Sequence, residues 1–203
     1  MTSQVSATEA LERLREGNER FVAGKAFAAV SINEIRRREL VGGQSPIAVV
    51  IGCSDSRVPV EVVFDQAPGE LFVIRAAGNV SAETQIGSVD FAVGQLGTPL
   101  VIVLGHTRCG AVSATLEVAR GGSAPTPALG SIVDRILPAV RKSIEQVGDD
   151  SDDLMKVAIR SNVQTSIEAL LSGSDLVAQA ERSGELQVVG AEYDLASGTV
   201  VFL

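Results

Sequence analysis

The chain holds one histidine, two cysteines, one tyrosine and no tryptophan in 203 residues, and aromatic residues make up only 3% of it. Each shortage excludes something. Two cysteines cannot build the multi-bridge framework that small secreted domains use in place of a core. No apolar run approaches the ~20 residues that a membrane-spanning helix requires, so no membrane association is expected. The stretch from Met1 to Phe21 carries Glu9, Glu12, Glu16 and Glu19 and lacks an apolar signal core, which makes the cytoplasm the default expectation. Positive charge is scarce as well: the net charge is -8 and the longest basic run is Arg36, Arg37 and Arg38. Phosphate contacts to nucleic acid are therefore not expected, and the run reads as a solvated helix face or a subunit contact. What remains is a chain with 45% hydrophobic and 21% charged residues, sized for one globular domain.

Within it, apolar runs rich in β-branched residues mark strands at Pro46 to Gly52, Leu71 to Ile74 and Leu100 to Leu104. Continuous runs of this kind suit strands buried on both faces of a parallel sheet. Helical spacing predicts helices over Ser88 to Leu96, Cys109 to Ala119, Leu129 to Val147, Asp152 to Leu171 and Asp175 to Ser183, with Pro138 as a kink in the third. Strand, helix, strand in succession predicts a parallel crossover. Before the sheet, Ser6 and Glu9 have capping-box spacing for a helix over Thr8 to Ala23, and a second helix is expected over Asn33 to Leu40. At the end, Leu186 to Gly190 and Thr199 to Leu203 read as a hairpin turning near Gly198. The expected fold is α/β in a single domain: a mostly parallel sheet flanked by helices, a helical arm over 1–42, a core carrying the site over 44–112, and helices with an antiparallel edge over 113–203.

Chemistry concentrates in two stretches. Cys53-Ser54-Asp55-Ser56-Arg57 and His106-Thr107-Arg108-Cys109-Gly110 each follow a predicted strand, and ligands of open α/β sheets bind where loops leave the carboxyl ends of strands. If the two strands are neighbours, both thiols, the sole imidazole and a carboxylate converge. These are the donor types of zinc, and two Cys with one His leave a fourth position for water or for Asp55. Taken singly, each residue has a plainer reading: a cysteine as a small buried hydrophobe, a hydrogen-bonded structural histidine, an Asp55–Arg57 ion pair fixing a loop. Their joint occurrence at two strand ends favours the metal.

Cys53 to Val58 and His106 to Ala111 resemble the paired signatures of the β-class carbonic anhydrases. The likeness continues through Pro68 to Arg75, Ala77-Gly78-Asn79 and Gly87 to Val93, nearly without interruption from Gln44 to Val112. It implies one Zn²⁺ per subunit on Cys53, His106 and Cys109, with Asp55 either completing the set or paired with Arg57. It further implies hydration of CO2 to bicarbonate by hydroxide generated at zinc. A neutral sum of one dication and two thiolates should acidify water less than an all-histidine site, so activity is expected to rise into the alkaline range. With the only histidine committed to the metal, protons must leave by buffer, water chains or a carboxylate.

By the same resemblance Gln44, Phe72, Ala77, Phe91 and Gly110 line the substrate pocket, contributed by both subunits of a homodimer or homotetramer. Phe91 stands where plant members carry Tyr, and Ala77 where they carry Val. Arg75 and Tyr193 match two residues of an inhibitory bicarbonate site known in some members, but Val50 replaces its Trp, so that regulation is expected to be absent. Rival readings are hydrolysis of CS2 or COS by the same ligand set, a closed structural zinc site, and a redox dithiol that pairs Cys53 with Cys109.

Overall fold

The computed structural model describes residues 5–27 and 34–203. Ser6 caps the first helix, α1 (Ala7–Val22): its side chain accepts from the Glu9 amide while the Glu9 carboxylate accepts from the Ser6 amide, the reciprocal box expected from the spacing. The second helix, α2 (Glu34–Leu40), buries no residue. Asn33, its expected first residue, lies outside the described residues.

The strands are β1 (Ala48–Gly52), β2 (Leu71–Arg75), β3 (Leu100–His106), β4 (Gln187–Tyr193) and β5 (Val200–Phe202). They form one sheet in the order β2-β1-β3-β4-β5, parallel throughout except for the antiparallel β4–β5 pair. Every residue of β1 and β3 is buried, as their unbroken apolar sequences require of strands covered on both sides. The Leu71–Ile74 strand and the Leu100 strand are not adjacent. β1 lies between them, which makes β1 and β3 the neighbours.

Helices then cover both faces. Ala10 and Leu14 of α1, with Val60, Val63 and Phe64 in and after the short α3 (Val60–Val63), pack on Val50, Ile102 and Leu104. On the opposite face α4 (Glu83–Leu96), α7 (Leu154–Gly173) and α8 (Asp175–Ser183) bring Val89, Val163, Leu170 and Val177 onto Val49, Ile51, Val101 and Val103. A third cluster sits beyond the carboxyl ends of β1 and β3, where α5 (Gly110–Ala119), α6 (Pro127–Val147) and α7 enclose Cys53 and Cys109 with Val112, Ile136 and Ile159. Half of the predicted N-terminal arm, α1, is thus part of the core. Asn18 ties it down: its amide donates to the Val63 and Gly198 carbonyls, and its oxygen accepts from the Val200 amide.

Close approach of α7 to the sheet depends on Gly105. A Cβ there would lie 2.7 Å from Val163 Cγ2, so any larger residue would push the helix off the strand that carries His106. Among the described residues, no helix is long and apolar enough to cross a membrane.

Candidate metal centre

β1 ends at Gly52 and β3 at His106, and their parallel pairing sets Gly52 opposite Leu104. Cys53 therefore leaves the sheet beside the His106–Cys109 turn. That turn reverses through Arg108, whose φ of 57° lies in the left-handed region that only glycine adopts without cost. Such strain concentrates where a structure must hold a functional geometry. Cys109 then serves as the residue before α5 rather than its first residue, with φ −67° and ψ 119°, and the amides of Ala111 and Val112 favour its thiolate.

The result is a cluster in which Cys53, His106 and Cys109 each offer a ligand atom, all within 4.8 Å of one another and all on buried residues. Tetrahedral zinc distances correspond to ligand separations of ~3.5–3.8 Å, which this cluster can meet with small adjustments. The His106 side chain is 0% exposed. Its Nδ1 lies 3.0 Å from the Thr107 carbonyl oxygen, to which it donates, and its Nε2 is buried with no hydrogen-bond partner. A fixed tautomer whose other nitrogen has no partner, in a cluster with two sulfurs, suits a metal ligand. Thr107 is held in turn: its amide donates to the Tyr193 carbonyl and its hydroxyl accepts from the Leu195 amide.

The two thiols are shifted in opposite directions. The Cys109 hydrogen bond to Cys53 is the chief cause that pulls the Cys53 thiol down, aided by His106 and by the Gly78 amide, whose nitrogen lies 3.3 Å from the sulfur. The same bond, together with burial, pushes the Cys109 thiol up. Both cysteines are free thiols.

Asp55 does not join the cluster. Arg57 grips it through Nε to Oδ1 at 2.9 Å and Nη2 to Oδ2 at 2.7 Å, and the Arg57 amide adds a bond to Oδ1 at 2.9 Å. This fork holds the Asp55 carboxyl well below the usual carboxylate range. Oδ2 nevertheless lies 3.9 Å from His106 Nε2, so the carboxylate sits at the edge of the cluster. Arg75 braces the same loop, donating to the Cys53 carbonyl at 3.0 Å and the Asp55 carbonyl at 2.6 Å. Sequence reasoning gave Arg75 a match to a regulatory anion site; here its guanidinium is spent on these two carbonyls. Val50 and Tyr193 are both buried in the cluster under α1.

The five expected pocket residues divide. Gly110 adjoins Cys109, and a Cβ at Gly110 would meet nothing within 4 Å, so the space beside this glycine is open. Ala77 begins a short 3₁₀ turn (Ala77–Asn79) behind Cys53. Phe72 lies on the edge strand β2 with its ring 6.2 Å from that of Phe91, which is 49% exposed on α4. Gln44 precedes β1 and lines a cleft of about 740 Å³ with Arg13, Arg36, Glu39 and Glu70. The five residues of β1 alone set it ~16 Å from Cys53, at the other end of the sheet. Within one chain, Gln44 does not meet the cluster.

Comparison with known proteins gives a consistent picture. The family model for carbonic anhydrase matches residues 48–200. The carbonic anhydrase of Mycolicibacterium smegmatis is 39% identical over 191 residues, covering 94% of this chain and 90% of that protein. Carbonic anhydrase 2 of Mycobacterium tuberculosis is 37% identical over 205 residues, covering 98% and 93%. Among solved structures, a Coccomyxa β-carbonic anhydrase in complex with acetazolamide superposes with a TM-score of 0.74 at 26% identity, covering 95% of this chain and 86% of that one. Motifs, relatives and solved structures agree, and the chain is an enzyme of the β-class carbonic anhydrase family.

Proposed function

We propose that the enzyme interconverts CO2 and bicarbonate using one Zn²⁺ per subunit, held by Cys53, His106 and Cys109. The observation that carries this reading is the buried, partnerless Nε2 of His106 facing two sulfurs. The donor set fits zinc in type and number. When bound, the ion supplies Lewis acidity, lowering the pKa of water so that a nucleophile for CO2 forms near neutral to alkaline pH.

The chain's own residues do the rest. Arg57 keeps Asp55 ionised and turned from the cluster, leaving a fourth position for solvent; Asp55 can also accept a hydrogen bond there. His106 is locked in the tautomer that presents Nε2. The Phe72–Phe91 pair, Ala77 and Gly110 supply an apolar wall of the kind a small nonpolar substrate needs. Because Gln44 lies at the other end of the sheet from its own cluster, the reading includes a second copy that brings it there, in a homodimer or homotetramer.

The test is metal content and stopped-flow CO2 hydration of the wild type and of Cys109→Ala, with CS2 and COS assayed alongside. About one zinc per chain and rapid hydration are expected for the wild type, and loss of both for the variant. A wild type that turns over CS2 or COS but not CO2 would reassign the substrate.

A further inference from the structure

We propose that Asn162 is a positioning residue for the metal: through the backbone of Gly78 it holds a hydrogen bond on the Cys53 sulfur and so tunes how that thiolate binds. The inference rests on the reading of Cys53, His106 and Cys109 as ligands. Asn162 lies on α7, 84 positions from Gly78, and is 1% exposed. Its Nδ2 donates to the Gly78 carbonyl at 2.8 Å, while the Gly78 amide donates to Cys53 Sγ at 3.3 Å. One residue is thus held at both ends, by the sulfur on one side and by a buried side-chain amide on the other.

The setting leaves little freedom. Gly78 has φ 71° and ψ 22°, a left-handed conformation. A Cβ there would lie 2.6 Å from Ile136 Cδ1 and 3.1 Å from Ala111 Cβ, so α5 and α6 press on the turn from one side. Asn162 pulls on its carbonyl from α7. The turn aims the Gly78 amide at the sulfur, and Asn162 holds the Gly78 carbonyl, which belongs to the following peptide unit. A buried asparagine left without partners costs ~1–3 kcal/mol, so an apolar residue would be the simpler choice for this position if packing were its sole task. Its Oδ1 has no hydrogen-bond partner, so the bond from its Nδ2 to the Gly78 carbonyl is what the side chain contributes.

An N–H donor on a thiolate withdraws charge from the sulfur. In a site with two thiolates, that withdrawal leaves more Lewis acidity at the ion, where a purely structural contact would change nothing. Partners of ligands typically alter metal affinity by 10–100-fold when removed.

Stripped wild type, Asn162→Leu, Asn162→Asp and Val163→Ala are titrated with Zn²⁺ against a chelator and, separately, with Co²⁺ while the thiolate-to-cobalt charge-transfer band is recorded. Val163→Ala loosens α7 without touching Gly78. The expected result is ~10–100-fold weaker Zn²⁺ binding in the Asn162 variants and a charge-transfer band moved to lower energy, with neither change in Val163→Ala. Asn162 variants that match the wild type in affinity and band, or a Val163→Ala that reproduces their changes, overturn the inference alone. A wild type that takes up neither ion overturns the ligand reading and this inference with it. Should both Asn162 variants fail to fold, the ¹¹³Cd-loaded wild type decides: scalar coupling between cadmium and the Gly78 amide proton supports the bond, and its absence refutes it.

Discussion

Asp55 and His106 share one oxygen's neighbourhood: Asp55 Oδ2 accepts from Arg57 at 2.7 Å and lies 3.9 Å from His106 Nε2. With a metal held as proposed, a short swing would exchange the guanidinium for the ion, and Arg57 would decide which partner the carboxylate keeps. In Arg57→Gln the fork is gone and Asp55 is free to occupy the fourth position. Loss of ~10–100-fold in kcat/KM with zinc content retained is expected, by colorimetric metal assay and stopped-flow kinetics. Full activity in this variant would show that Asp55 is not a competitor for the ion.

The same pair sets an acid response. Asp55 is depressed in the folded state, so its contribution to stability is complete above the ordinary carboxylate pKa of about 3.9 and declines as pH falls toward its lower folded value. Thermal midpoints of metal-free wild type and Arg57→Gln should be separated at neutral pH and begin to converge below about pH 4. A separation that stays constant from pH 7 to 3 would contradict this.

Rate should climb with pH. With a dication held as proposed, two thiolates would cancel its charge, and water would be acidified less than in three-histidine carbonic anhydrases, where its pKa falls to about 7. A profile of kcat/KM that rises from pH 7 to 9 is expected. One that is flat from about pH 6 to 9 would mean that something other than ligand charge sets the acidity.

Distance between Gln44 and its own cluster predicts complementation. Gln44→Ala and Cys109→Ala subunits should each be poorly active alone, yet hybrids formed by subunit exchange should recover part of the wild-type rate. In the hybrid, one site draws an intact Gln44 and an intact cluster from different chains. Hybrids no more active than the sum of their parents would show that each chain works by itself.

Packing under the site is tight enough to measure. Gly105→Ala should destabilise the fold by ~1–3 kcal/mol in chemical denaturation, because its methyl would enter the space of Val163. Adding Val163→Ala should recover part of the loss, with a coupling of ~0.5–3 kcal/mol. Strict additivity of the two changes would rule out their contact as the cause.

The strands of the core were readable because apolar runs rich in β-branched residues fill most of β1 and β3, and the Cys53–His106–Cys109 cluster because thiol and imidazole are so rare here that position alone singles them out. Boundaries were less visible. β3 runs two residues past Leu104 because its pairing with β4 continues through His106 and Tyr193, a tertiary fact that Gly105 conceals. α4 begins at Glu83 rather than Ser88, since its first turn, with Thr84 and Gln85, carries no apolar spacing. The four-residue α3 and the Ala77–Asn79 turn were missed: Val60 to Val63 favours extended backbone by composition, and a 3₁₀ turn has no periodicity to detect. Asn162 carried no signal, because an asparagine in a helix acquires meaning only from what folds against it.

A lone imidazole has a practical consequence. Its two carbon-bound protons give the only histidine ring signals the polypeptide can produce, so an unlabelled sample offers a spectrum in which every change of occupancy, ligand or pH at the catalytic core is read from a pair of lines. With no indole in the chain, ultraviolet bands of cobalt or cadmium thiolates would likewise stand on a nearly clear background. The scarcity that first drew attention to this site also makes it unusually easy to watch.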